Sequence, residues 1–370
     1  MRRTILIGFV VSTLAASFAA NAQQYTVVNL GTLGGSALSA TLPSSAGYGI
    51  NASGQVTGWA LTTVNVEPQA FISDATTYAL TGLGVAGINS EGYAVNASGQ
   101  VAGYYYVSSD FNNPQHAFVT VASTNALVDL GTLACGTRNY CNATSQATSI
   151  NTSGQVVGYS QIATGPTHAF ITDPSTNAMT DLGTLGGGTS EAFGINDSGQ
   201  VTGASSVVAD VWLHAFITDP TTNTMTDLGT LGGPQSWGTA INASGQVAGY
   251  SYTSSFSFTN GGPYHAFVTD ATTQAMTDIG TLGGAASEGL AVNASGQVVG
   301  WANTAAGAQD GFLYTGGQML DLNSLLDASD AATYTISSAT AINDSGQIVA
   351  NGTDVATGQI VALLLNPVAN

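Results

Sequence analysis

The chain has 370 residues, enough for one large domain or two ordinary ones, but only 6% are charged, and Lys plus Arg total 3 against 21 Asp plus Glu. A formal charge of −18 cannot neutralise a phosphate backbone, which excludes nucleic-acid binding and polybasic membrane docking. The 47 glycines and 44% hydrophobic content fall in short strand-like runs, which excludes a disordered chain.

Residues 1–22 read as a signal peptide. Arg2-Arg3 form the basic start, Ile5 to Ala20 the apolar stretch, and Ala20-Asn21-Ala22 an A-x-A cleavage site. The expectation is an exported protein, extracellular or periplasmic, with residues 23–370 as one domain and no membrane insertion of the mature chain. That chain keeps a single basic residue, Arg138, and all 21 acids.

From Tyr25 onward the sequence repeats. Asn-x-Ser-Gly-Gln occurs seven times, from Asn51, Asn96, Asn151, Asn196, Asn242, Asn293 and Asn343, at spacings of 45, 55, 45, 46, 51 and 50 residues. A Ser stands six positions before each Asn, and an apolar run such as Val156-Val157-Gly158-Tyr159 follows. Asn-x-Ser-Gly between apolar runs is a hairpin signal, because Asn closes an Asx-turn and Gly accepts positive φ. The same triplets read as glycosylation sequons, but seven copies in one tight turn favour the structural role.

Each repeat therefore offers four short strands: A ending at Ile-Asn, B at Gln-Val-Val-Gly, C at His-Ala-Phe and D at Thr-Asp-Leu-Gly. Four antiparallel strands repeated seven times predict an all-β, seven-bladed β-propeller. A D-like strand, Tyr25 to Gly31, precedes the first A, and a C-like strand, Ile360 to Leu365, follows the last B. Pairing the two closes the ring and leaves no open sheet edge. The alternative is a β-helix, a solenoid in which each repeat covers two coils.

The His-to-Asp interval between C and D is 13 residues in five repeats, and the A–B turn is constant. The B–C interval varies from 10 to 16 and the D–A interval from 14 to 22. In a meander the B–C and D–A connections share one end, so a binding site is expected at that variable face.

Cys135 and Cys141, the only cysteines, lie in one long loop and lack neighbouring metal ligands. In an exported chain they are expected to form a disulfide.

The segments His116-Ala117-Phe118, His168-Ala169-Phe170, His214-Ala215-Phe216 and His265-Ala266-Phe267 precede Thr-Asp and Asp-Leu-Gly-Thr-Leu-Gly-Gly pieces. In this the mature chain resembles the HAF-repeat family of bacterial extracellular proteins. Gln69, Gly82, Asp310 and Asn323 depart from the pattern. The resemblance implies export and repetition, and carries no catalytic residues.

Signatures of serine hydrolases, zinc proteases, phosphate loops, dinucleotide sites and EF-hands are absent from the sequence. The chain contains no Lys for Schiff-base chemistry. The four histidines recur at one repeat position, so they are expected to bond a neighbouring strand or turn. The aromatics after strand B, Trp59, Tyr104, Tyr159, Tyr250 and Trp301, are expected to pack between blades. No catalytic residue is assigned. The leading reading is a monomeric, non-catalytic binding module for a glycan, cell-surface or protein ligand, and the alternative is a carboxylate-dependent polysaccharide enzyme.

One repeat position changes from copy to copy, five residues before each Asn: Ala46, Glu91, Gln146, Glu191, Trp237, Glu288 and Ser338. It lies between a constant Ser and a constant Gly or Ala, as suits the start of a crowded innermost strand. Glu91, Gln146, Glu191, Trp237 and Glu288 are the expected ligand-binding residues. Glu91, Glu191 and Glu288 form an expected Ca²⁺ site, with no other cofactor required.

Overall fold

The computed structural model describes residues 23–36, 42–63, 67–84, 88–107, 114–136, 142–208, 212–254 and 262–369. The expected signal peptide, residues 1–22, lies outside the described residues. Among the described residues no helix is long and apolar enough to cross a membrane.

Runs rich in Val, Ile, Phe, Tyr and Thr between Gly- and Asn-bearing turns form strands, most of them five to seven residues long. In the third repeat Ser145–Ile150, Val156–Gln161, Thr167–Thr172 and Met179–Asp181 pair in chain order, each antiparallel to the next. Seven such four-stranded units occur among the described residues, two of them joined by one parallel pairing of Tyr264 with Ala286. Antiparallel pairing throughout the units rules out the β-helix.

The last unit is built from both ends of the chain. Tyr25–Asn29 lies antiparallel to Ile360–Pro367, followed by Ile348–Asp354 and Tyr334–Ile342. The far side of the Tyr25 strand is clasped as well. Tyr25 pairs with Leu326, the Asp327 N–H donates to the Tyr25 carbonyl at 3.1 Å, and the Val27 N–H donates to Asp330 Oδ2 at 2.6 Å. Asp330 stands in a short helix, Ala328–Thr333, an addition to the repeated four-strand pattern.

The His-Ala-Phe phenylalanines fill the joints between units. Phe118, Phe170, Phe216 and Phe267 are wholly buried, and each such side chain contributes about 1.5–3 kcal/mol. Phe170, for example, packs with Ala147 and Val156 of its own unit against Ala102, Ala117 and Leu130 of the preceding one.

The Asn turns close the ring at the axis. Asn196 Oδ1 accepts from the N–H groups of Ser198 and Gln200, while its Nδ2 donates to Gln200 Oε1 and to the Asn242 carbonyl of the next unit at 3.1 Å. The same bond to the next unit runs from Asn51, Asn96, Asn151, Asn242, Asn293 and Asn343. These carboxamides are buried and fully bonded, so the sequons act as structural turns.

Candidate functional site

The seven A strands stand innermost and surround a cavity of about 220 Å³. The residue five before each Asn sits at the mouth of this channel, at the end opposite the Asn ring. Strand register then makes each of them a cross-strand neighbour of an aromatic residue in five of the repeats. Ala46 faces Trp59, Glu91 faces Tyr104, Gln146 faces Tyr159, Trp237 faces Tyr250 and Glu288 faces Trp301.

Register decides which face those aromatics share, and Trp301 of one unit meets Tyr264 of the preceding one edge-on. Ile50 pairs with Val56 and Gly49 with Thr57, but an extra residue, Tyr48, is inserted before the next pair, Gly47 with Gly58. The β-bulge moves Trp59 from the register of Gly47 to that of Ala46, and so to the same face as the ring position. All seven units show this shift, six with a Gly in the B strand and the last with Ala350. At Gly203 a Cβ would stand 1.9 Å from the Glu191 carbonyl oxygen, an approach that only Gly permits.

The bulged residue is a second variable position, which the sequence reading missed: Tyr48, Tyr93, Thr148, Phe193, Thr239, Leu290 and Thr340, all lining the cavity. Its signal is the variation three residues before each Asn. Where it is Thr, the hydroxyl bonds the next unit's inner strand, as Thr239 does with the Gly289 carbonyl at 2.6 Å. Where it is Tyr, the ring joins the mouth.

Two walls result. On one, Tyr48 stacks on Tyr93 with centroids 4.9 Å apart, and the Tyr93 hydroxyl donates to Glu91 Oε2 at 3.2 Å. On the other, Trp237 stacks on Tyr250 at 4.8 Å, Tyr264 meets Trp301 edge-on, and Trp301 Nε1 donates to Glu288 Oε2 at 3.1 Å. Gln146 Oε1 accepts from the Tyr159 hydroxyl at 2.8 Å. Burial raises the carboxyl pKa of Glu91, Glu191 and Glu288, and burial followed by the charge of Glu288 raises that of the Tyr250 hydroxyl. The mouth is thus a half-buried anionic surface faced with aromatic rings.

Among the described residues no group of three or more His, Cys, Asp or Glu side chains could hold a metal ion. Glu91, Glu191 and Glu288, the expected Ca²⁺ ligands, form no such group. The histidines clasp strands C and D: His116, His168, His214 and His265 each place Nδ1 within 3.1 Å of Asp129, Asp181, Asp227 and Asp278. Those aspartates also accept the N–H two residues on, as in Gly183 to Asp181 at 2.7 Å. The expected Cys135–Cys141 disulfide lies outside the described residues, which include Cys135 but not Cys141.

A family described as a protein of unknown function, DUF3466, matches residues 189–362, just under half of the chain. This corrects the expected HAF-repeat family: the match is to an uncharacterised family, and the His-Ala-Phe triplets are accounted for by the core Phe and the His–Asp clasp of each unit. No curated protein matches the chain. Several solved structures are similar. The β-propeller domain of the trilobed protease from Pyrococcus furiosus has 8% identity and a TM-score of 0.54, over 87% of this chain and 93% of that one. YCF48 bound to D1 peptide has 12% identity and a TM-score of 0.52, over 95% and 98%. TolB from Acinetobacter baumannii has 11% identity and a TM-score of 0.47, over 86% of this chain but only 64% of that one, less than two thirds of its length. At such identities the first two likenesses establish the fold: the chain is a β-propeller.

Proposed function

We propose that the protein is an exported, non-catalytic binding module whose ligand, a glycan or a protein segment, seats on the acid and aromatic mouth. One observation carries the reading: the variable position of every repeat lies at one end of the channel, and the bulge brings the aromatics onto the same face. Flat π faces beside fixed oxygen acceptors suit sugar rings and peptide side chains alike. YCF48, a structure of similar fold, is bound to a peptide, which supports a protein segment as ligand. Export rests on the leader read in residues 1–22.

The test is an array of glycans and peptides probed with the mature chain and with its Trp237→Ala variant. A ligand that binds the mature chain and is weakened about tenfold or more in the variant, a loss of about 1.4 kcal/mol, supports the mouth. Ligands held equally by both proteins would place binding elsewhere and overturn the reading.

A further inference from the structure

Glu191, Trp237 and Glu288 occupy one register on three successive inner strands, so a carboxylate stands on each side of the indole. The indole is backed by Tyr250, and Glu288 is aimed by Trp301 Nε1. Glu91, on the other wall, differs because tyrosine hydroxyls already donate to it. Glu191 makes no side-chain hydrogen bond among the described residues, although burial holds its pKa above the usual carboxylate range. Nor does any described residue supply a counter-charge from Lys or Arg: the arginines are Arg2, Arg3 and Arg138, all outside them. The four histidines are held by aspartates of the C–D clasps.

We propose that this Glu–Trp–Glu nest takes a cationic side chain, the ammonium of a Lys or the guanidinium of an Arg, from a basic segment of a partner protein. The proposal rests on the mouth as the binding surface and narrows its ligand. A cation over the indole face has a carboxylate on either side of it, combining a charge-assisted hydrogen bond with a cation–π contact. A neutral sugar would stack on Trp237 but leave the Glu191 charge uncompensated. An anionic ligand would meet the field of a chain with formal charge −18, which draws basic segments instead.

The experiment titrates the mature chain with octalysine, with Nε-acetylated octalysine and with cellohexaose, following tryptophan fluorescence. Saturable octalysine binding is expected, with little binding of the acetylated peptide. The Glu191→Gln, Glu288→Gln double variant should weaken octalysine about tenfold or more, while the charge-matched Asp219→Asn, Asp270→Asn variant, altered on the opposite face, should leave it within about twofold. Equal losses in both variants would show diffuse attraction and overturn the proposal, as would absence of octalysine binding. Cellohexaose binding that is lost in Trp237→Ala but survives the Glu→Gln changes would overturn the cationic ligand and leave the mouth intact.

Discussion

The Nδ2 of Asn343 donates to the backbone carbonyl of Asn51, 292 residues earlier, at 3.1 Å. The bond repeats at the joint between the last and first units the contact that each Asn makes to the next, as Asn51 does to Asn96 at 3.0 Å. The joint at the chain ends is therefore built like every other. Its strength depends on the terminal strand, because Tyr25–Asn29 completes the sheet whose inner strand carries Asn343.

Removal of residues 23–31 should open the ring. Tyr25 and Leu30 are buried, and their burial alone contributes about 3–6 kcal/mol. The deletion also bares the edge of Ile360–Pro367 and leaves Asp330 without the Val27 N–H. Calorimetry should show a markedly lower unfolding midpoint, and an unchanged midpoint would refute closure by this strand.

Asn196→Ala should destabilise the fold by about 2–4 kcal/mol. The substitution removes a donor pair and strands the N–H groups of Ser198 and Gln200, which Asn196 Oδ1 accepts. Denaturant unfolding measures the loss. A change below about 0.5 kcal/mol would show that the turn does not depend on its carboxamide.

Gly203→Ala should cost about 1–3 kcal/mol or more, since the new Cβ would meet the Glu191 carbonyl oxygen at 1.9 Å. Gly188→Ala, in the same unit with nothing within 4 Å, provides the comparison and should be near neutral. Equal stabilities of the two variants would contradict the bulged register at the mouth.

The mouth should also leave a mark on the pH dependence of stability. Burial gives the Glu191 carboxyl a higher pKa in the fold than in the unfolded chain. Its contribution to stability is therefore complete below the ordinary value of 4.5 and is lost as pH rises through the raised one. The stability gained by Glu191→Gln relative to wild type should grow as pH rises from that ordinary value towards neutrality, then level off. Asp173 acts oppositely: bonds from Ser175 and Thr176 hold its pKa down to about 2, so its contribution is lost only in strong acid. A Glu191→Gln difference that stayed constant with pH would contradict the buried carboxylate.

The repeats and the Asn turns were legible because each is a local rule written seven times, and the closing strand because it is left over from that pattern. Asn and Gly mark the turn, alternating apolar residues mark the strands, and the unpaired D-like strand at Tyr25 needs a partner. The mouth was half legible. Variation five residues before each Asn pointed to Glu191, Trp237 and Glu288, but not to the aromatics that share their face. The reason is register: one bulged residue, such as Tyr48, shifts Trp59 by one position, and a one-residue shift exchanges the two faces of a strand. The clasp on Tyr25 by Leu326, Asp327 and Asp330 was hidden for another reason, since it belongs to one connection and never repeats.

Hydrogen–deuterium exchange of the mature chain, with and without its bound array ligand, tests the central claim most directly. Ligand should slow exchange at the starts of the inner strands around Glu191, Trp237 and Glu288 and leave the Asn-turn ring unchanged. Protection confined to the turns around Asn196, Asn242 and Asn293 would place the ligand at the opposite end of the channel and contradict the account.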